Sequence, residues 1–431
     1  MLQRKVNDQL LEWKNKSRRM SLLVDGARQI GKTFSIKEFA RKQYPHCIYI
    51  NFDENPAFKE IFDGDLDMGT LIKQITLRIP KVKMVPWHTL IFLDEIQNCP
   101  KAQTALKFIT QDKRFDCIAT GSLLGIKNRE ISSYPVGHVE HLDMYSLDFE
   151  EFLWARNISA QSIADIKEYF IKKKEVPPAM HSRMMELFRE YIVVGGMPRV
   201  VQEFTDTGNF GSVLKLQQDI ISDYAKDIAK YAEGSEKVKA RACFYSIPKQ
   251  LAKDYKKFQY SVVEKKSTSR KFAGSLDWLY EAGIINYCYN LRSPELPLEG
   301  NAIPDTFKVY MRDTGLLTAM LEDGSQADII DGNLGIYKGA LYENIIADIF
   351  GKRGKKLYYF EHRGQIEVDF FIRRNSTAEA VEVKSAGNTK SKSMTNIISN
   401  YGVKHGIKLS SNNISVSKTV DTFPLYMAMF L

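Results

Sequence analysis

The chain has 431 residues, 44% of them hydrophobic and 26% charged, proportions that suit a soluble globular protein of roughly two to four domains and exclude a small disulfide-stapled module. A formal charge of +9 favours an anionic partner such as nucleic acid, although a basic surface serves solubility equally well. Five cysteines, Cys47, Cys99, Cys117, Cys243 and Cys288, show no C-x-x-C spacing, which argues against both a disulfide framework and a zinc site and fits a reducing compartment.

Met1 to Val6 runs straight into a charged amphipathic pattern and no run is long enough to span a bilayer, so the reading is a cytoplasmic protein without a membrane partner. Leu2 to Trp13 is expected to be an amphipathic helix. Met20 to Val24 reads as a short apolar strand, and Gly26-Ala27-Arg28-Gln29-Ile30-Gly31-Lys32-Thr33 then fits the phosphate-loop pattern G-x-x-x-x-G-K-[ST] at every fixed position. A loop of this kind turns its backbone N–H groups around phosphate oxygens. Lys32 reaches the β- and γ-phosphates of ATP, and the Thr33 hydroxyl takes a place on Mg²⁺. Phe34, the next residue, opens a helical pattern that runs to Tyr44 and belongs to the expected nucleotide site.

A second strand, Cys47 to Phe52, precedes a mainly helical stretch from Pro56 to Ile79. Thr89 to Asp94 is an apolar strand that ends in the carboxylate pair Asp94-Glu95. This is the form of a Walker B strand, with Asp94 holding Mg²⁺ through water and Glu95 acting with Lys32 in catalysis by polarising the attacking water. Lys101 to Gln111 is expected to be helical. Asp116 to Ser122 is a fourth strand, whose Thr120 and Ser122 suit either a γ-phosphate sensor or ordinary strand-end turn chemistry. Val139 to Tyr145 is the fifth strand. Alternating strands and helices imply an α/β fold with a doubly wound parallel sheet and a nucleotide at the carboxyl ends of its strands.

The extra strand between loop and Walker B, together with Leu93-Asp94-Glu95-Ile96-Gln97, Ala119-Thr120-Gly121-Ser122, Leu147 to Leu153 and Gly195-Gly196-Met197-Pro198, resembles the AAA-type P-loop ATPases that carry a C-terminal DUF4143 region. The resemblance covers nearly the whole chain and implies ATP and Mg²⁺ as ligands; oligomers are common among AAA proteins. One position departs from it: relatives often carry a basic residue where this chain has His138 after Gly137. Arg199 and Arg129 are alternative arginine fingers, or plain surface arginines.

Ala155 to Tyr231 is helical in pattern and is expected to form a lid. Val238 to Leu251 and Ser269 to Glu281 read as helices, followed by the strands Ile284 to Leu291 and Phe307 to Met311, the outline of a winged helix. Lys253, Lys256, Lys257, Lys265, Lys266, Arg270 and Lys271 between them suit a phosphate backbone, a solvated face or a protein-docking surface.

At the C-terminal end, a helix from Leu334 to Gly351 containing Glu343, the strand Ile366 to Ile372 containing Asp369, and Glu382-Val383-Lys384 resemble the PD-(D/E)xK nuclease core. With a two-residue turn at Asn375-Ser376, pairs summing to 751 lie opposite each other. Asp369 then faces Glu382, and Glu367 faces Lys384, on one side of a hairpin. Asp369 and Glu382 would need a cation between them, and Lys384 would orient water; a cross-strand ion pair on a docking surface accounts for the same residues.

The expected organisation is an ATPase domain at 1–155, a helical lid at 156–235, a winged-helix-like domain at 236–325 and an α/β nuclease-like domain at 326–431. The leading functional expectation is an ATP-hydrolysing, Mg²⁺-dependent switch whose C-terminal domains engage DNA, another nucleic acid or a protein. The alternatives are an ATP-gated nuclease and a non-catalytic ATP-binding module.

Overall fold

A computed structural model describes residues 2–121, 137–231, 236–253, 256–333, 338–362, 364–374, 376–384 and 392–431. Ser122, Arg129 and Asn375 lie outside the described residues. The chain divides into two compact units. Arg4–Tyr145 with Glu281–Gly283 forms one, and Ser146–Tyr280 with Ile284–Leu431 makes up nearly all of the other.

The first unit holds α1 (Val6–Lys14), β1 (Ser21–Asp25), α2 (Lys32–Gln43), β2 (His46–Asn51), α3 (Met68–Arg78), β3 (Thr89–Asp94), α4 (Pro100–Asp112), β4 (Asp116–Gly121) and β5 (Val139–Asp143). Its sheet has the order β2-β3-β4-β1-β5, and every neighbouring pair is parallel. All residues of β1 and β3 are buried, which is why both read as continuous apolar runs rather than alternating ones. Ile48, Ile50, Ile91, Leu93, Leu106 and Ile109 belong to one buried cluster. Helix α1 buries Val6, Leu10 and Trp13 on one helical face, and the Trp13 indole N–H donates to Met20 O at 2.9 Å.

The second unit begins with helices α5 (Phe149–Ala155), α6 (Ala160–Lys172), α7 (Pro178–Val194), α8 (Pro198–Thr207) and α9 (Phe210–Tyr231). Asp148 and Glu151 form a reciprocal capping box at the start of α5, the physical content of the Leu147 to Leu153 landmark. The Gly195-Gly196 landmark is a close backbone crossing. A Cβ on Gly195, where φ is 71°, would lie 2.1 Å from Asp313 Oδ1, and one on Gly196 would lie 2.1 Å from Leu147 O. The Gly196 N–H donates to Asp313 Oδ2 at 2.9 Å, and Gly196 O accepts from the Leu147 N–H at 2.7 Å.

Next come α10 (Glu236–Leu251), α11 (Ser269–Glu281), β6 (Ile285–Leu291), β7 (Ala302–Met311), α12 (Thr314–Ala319), α13 (Ser325–Asp331), α14 (Lys338–Lys352), β8 (Leu357–His362), β9 (Ile366–Arg374), β10 (Thr377–Val383), α15 (Lys392–Asn400), β11 (Gly406–Ser410), β12 (Ser415–Val416) and β13 (Val420–Pro424). The strands make one eight-stranded sheet, β12-β13-β11-β10-β9-β8-β6-β7. The antiparallel pair β6/β7, expected as the wing of a winged helix, is built into it through parallel pairing of β6 with β8 at Cys288↔Leu357. Six of the seven β6 residues are buried, and a strand that buried takes a neighbour on both edges where a wing leaves one in water. Helix α14 packs on one face, where Phe350 meets Phe370. Helix α15 covers the other, where Met394 and Ile397 join Val368, Phe371 and Ala380.

Candidate functional site

The phosphate loop runs from the end of β1 to the start of α2. Gly26 has φ 154°, and a Cβ there would lie 2.2 Å from Met144 O, while Gly31 caps α2 at φ 89°; both ends of the loop therefore take glycine. Gln29, inside the loop, also has a positive φ of 63°. Arg4, buried at the N-terminus, donates to Ile30 O at 3.2 Å and to Tyr145 O at 2.7 Å, fastening the loop to the strand end beside it. Ala27 and Arg28 lie in the same loop, and Phe34 in the first turn of α2 is 58% exposed.

The Lys32 ammonium donates to the carbonyls of Gly26 at 2.9 Å and Ala27 at 2.7 Å. Burial pushes Lys32 down to about 8, and Glu95, Asp94 and Asp25 pull it back up. The cation is thus held by two neutral oxygens, partners weaker than phosphate.

Asp94 collects donors from two strands and a helix. Thr33 Oγ1 donates to its Oδ2 at 2.9 Å, Tyr49 OH at 2.9 Å and Asn51 Nδ2 at 3.3 Å, while Thr120 Oγ1 donates to Oδ1. The structure therefore places Thr120 on the Asp94 carboxylate. Glu95 follows at φ 55°, a left-handed conformation that non-glycine residues take up at a cost and that clusters at functional sites. Its carboxylate accepts from the Gln97 amide. The hydroxyl and carboxylate oxygens of Thr33 and Asp94, within 2.9 Å of each other, are a donor set that fits Mg²⁺.

Sequence reasoning missed Tyr49 and Asn51. Their signal was the alternation of Cys47 to Phe52, which puts residues 49 and 51 on one face, with Asn51 paired directly to Asp94 across β2/β3. It missed Asp25 and His141 as well. His141 Nδ1 lies 2.9 Å from Asp25 Oδ2 immediately before the loop; burial raises Asp25, and the hydrogen bond to Asp25 raises His141. His138 stands at the start of β5, the amino ends of the strands, whereas the loop leaves the carboxyl end of β1. Arg199 is exposed on α8.

The C-terminal residues do not gather as expected. The register does follow pairs summing to 751, from Thr377↔Arg374 to Val381↔Phe370. In the β8/β9 ladder, however, Phe360↔Val368 is followed by Tyr358↔Phe371, so the single residue Tyr359 faces both Asp369 and Phe370. This is a β-bulge, and it breaks the period of two on which the one-faced arrangement depended. Phe370 packs edge-on against Phe350 of α14 and at a tilt against Tyr310, and Asp369 turns to the same side, where Glu343 and Lys308 act on it, its Oδ2 accepting from the Val383 N–H at 2.7 Å. Ala380 packs with the α15 face, and Glu382, two residues on, shares that face with Lys384, 2.5 Å away. The opposition of Asp369 to Glu382 and of Glu367 to Lys384 is thereby corrected: the acids and the lysine divide between two faces of the sheet.

On the α14 face the acids meet lysines. Lys256 pairs with Glu343, and Lys308, 1% exposed, lies 2.6 Å from Glu367 and 3.7 Å from Glu343. Tyr310 OH donates to Glu343 Oε2 at 3.1 Å. Burial alone would raise Glu343, yet Lys256 and Lys308 hold it below its ordinary value; Asp369 is raised by burial and by Glu343. Lys256 is thus turned inward, away from the basic stretch it was counted with, and Lys253 and Lys271 are bound by Gln259 and Glu264. Among the described residues, no group of three or more His, Cys, Asp or Glu side chains is placed to hold a metal ion.

Comparison with known proteins matches residues 18–153 to an AAA domain, residues 185–327 to a domain of unknown function (DUF8612) and residues 338–427 to a domain of unknown function (DUF4143). An uncharacterized protein of Methanocaldococcus jannaschii is 25% identical over 48% of this chain and 40% of its own length. One of Haemophilus influenzae is 24% identical over 42% of this chain and 40% of its own length. The chain therefore spans well under half the length of these curated relatives. Among solved structures, a Walker-type ATPase of Pyrococcus abyssi aligns with a TM-score of 0.43 and 13% identity over 74% of this chain and 96% of that one. AMPPCP-bound DnaA of Aquifex aeolicus aligns with a TM-score of 0.29 and 14% identity over 64% and 86%. Among the described residues no helix is long and apolar enough to cross a membrane.

Proposed function

From the premise that this chain is an AAA-type P-loop ATPase with a C-terminal DUF4143 region, we propose that it binds and hydrolyses ATP and uses the nucleotide state to control how its second unit engages a nucleic acid or protein partner. The observation that carries the reading is the convergence of Thr33, Tyr49, Asn51 and Thr120 on the Asp94 carboxylate beside a loop that has no room for a Cβ at Gly26.

Lys32 exchanges its two carbonyl partners for phosphate oxygens when ATP enters, and the stronger partners restore its full charge. The backbone N–H groups from Ala27 to Thr33 orient the phosphates at the start of α2. Thr33 and Asp94 would hold Mg²⁺, which supplies charge neutralisation on the phosphate oxygens when bound. Glu95 is the general base, held outside the strand by its left-handed backbone and aimed through Gln97. A metal-dependent nuclease would need Asp369 and Glu382 on one cation, with Lys384 beside them to orient water. Their division between two faces favours a second unit that engages its partner without cutting it.

Binding of a fluorescent ATP analogue tests the reading. Lys32→Ala is expected to lose the affinity, and Asp94→Asn to lose its dependence on Mg²⁺; equal binding by parent and Lys32→Ala would sink the assignment.

A further inference from the structure

The second unit carries a recess that the ATPase reading does not use. A cleft of about 820 Å³ lies on the α15 face, with Lys392, Asn396 and Asn400 of α15 along its wall and Lys408, Thr422 and Ser415 in the sheet beneath. The register explains the floor. Glu382 pairs with Lys408, Lys408 with Thr422 and Thr422 with Ser415, so one row of side chains crosses four neighbouring strands. Gly406, two residues before Lys408, lies under Met394, where a Cβ would come 2.3 Å from the sulfur; the period of two turns Lys408 to the same face.

That row carries the charged groups of the floor. Glu382, buried, is already paired to Lys384 at 2.5 Å and is also the neighbour of Lys408. Lys408 is 6% exposed. The described residues lining the cleft add the ammonium of Lys392 and no carboxylate. Two ammonium groups on one cleft give it a positive field that favours an incoming anion. Asparagine amides and serine and threonine hydroxyls around it offer both donors and acceptors, the complement of phosphate oxygens, sugar hydroxyls and base edges. The volume suits a ligand of nucleotide size.

We propose that this cleft is a binding site for a phosphate ester, in which Lys408 and Lys392 hold the phosphate and the α15 asparagines hydrogen-bond the remainder. The same chemistry comes from a free nucleotide or from one unit of a single strand of nucleic acid. The site is separate from the phosphate loop and does not depend on turnover there.

The test uses the full chain in a Lys32→Ala background, which removes the loop from the measurement, so that its outcome is independent of the ATPase reading. Fluorescence anisotropy is read with two probes, a short fluorescein-labelled oligothymidylate and a fluorescent AMP analogue. Saturable binding of either is expected, weakened at least about tenfold by Lys408→Met and by Lys392→Glu, and unchanged by Lys73→Glu on the exposed side of α3. Lys392→Glu, in the first turn of α15, keeps the test decisive if Lys408→Met fails to fold. Saturation by the oligonucleotide alone assigns the site to a strand, and saturation by the AMP analogue assigns it to a free nucleotide. Absence of saturation by both probes, or an equal loss in Lys73→Glu, overturns the proposal.

Discussion

Lys308→Met removes the cation at the centre of the buried charge cluster and keeps most of the side chain's volume. The ammonium lies 2.6 Å from Glu367 Oε1 and 3.7 Å from Glu343 Oε2, and its side chain is 1% exposed. At an effective dielectric constant near 20, a unit pair at the longer of these distances attracts by about 4 kcal/mol. Glu367, 36% exposed at its side chain, can recover water; Glu343, 6% exposed, keeps Lys256 and the Tyr310 hydroxyl among the described residues. Breaking a buried pair from one side costs about 3–5 kcal/mol, which lowers the unfolding temperature of the second unit by roughly 10 °C. The assay is thermal unfolding followed by circular dichroism, with and without Mg²⁺. Glu343→Gln in the same chain should recover part of the loss, since it removes the stranded charge. A shift below about 2 °C, or full restoration of the single variant by Mg²⁺, would refute the view of these acids as lysine-satisfied core.

Two further outcomes follow from buried polar groups. Arg4→Ala releases the carbonyls of Ile30 and Tyr145 and is expected to weaken ATP binding about tenfold, measured as the dissociation constant of a fluorescent analogue; parent-like affinity would remove Arg4 from the loop's support. Asp348, 3.0 Å from Lys352, is pushed up to about 7 by burial. The folded chain thus keeps a proton that the unfolded chain releases near pH 4. Its contribution to stability is complete below that pH and is lost as pH rises toward 7. Asp348→Asn lacks this term, so parent stability minus variant stability should fall across that window by up to about 1.4 kcal/mol per pH unit, as read by urea unfolding at several pH values; a flat or rising difference contradicts it.

Much of the first unit was legible because its signals are local. The loop lies between β1 and α2, and β3 ends on Asp94, because glycine placement, a lysine and an apolar run specify these within a few residues. Partners brought in by parallel pairing were not legible in that way. Tyr49 and Asn51 reach Asp94 from 45 and 43 residues upstream, and Arg4 reaches the loop from beyond β1. In the second unit the hairpin register could be counted from its turn, but the bulge at Asp369-Phe370 could not. One extra residue against Tyr359 sends Asp369 to α14 while Glu382 stays beneath α15. Lys256 reads as one of a basic stretch until the fold pairs it with Glu343, and nothing local in the sequence marks Lys308, which the fold buries near the same acid.

Phosphate release from Mg-ATP by the Glu95→Gln protein, with its ATP affinity measured on the same sample, tests most directly whether Glu95 is the base. Parent-like affinity is expected, with turnover reduced by at least about a hundredfold, the scale of a lost general base. Parent-like turnover would show that Glu95 is not the base and that water is activated elsewhere.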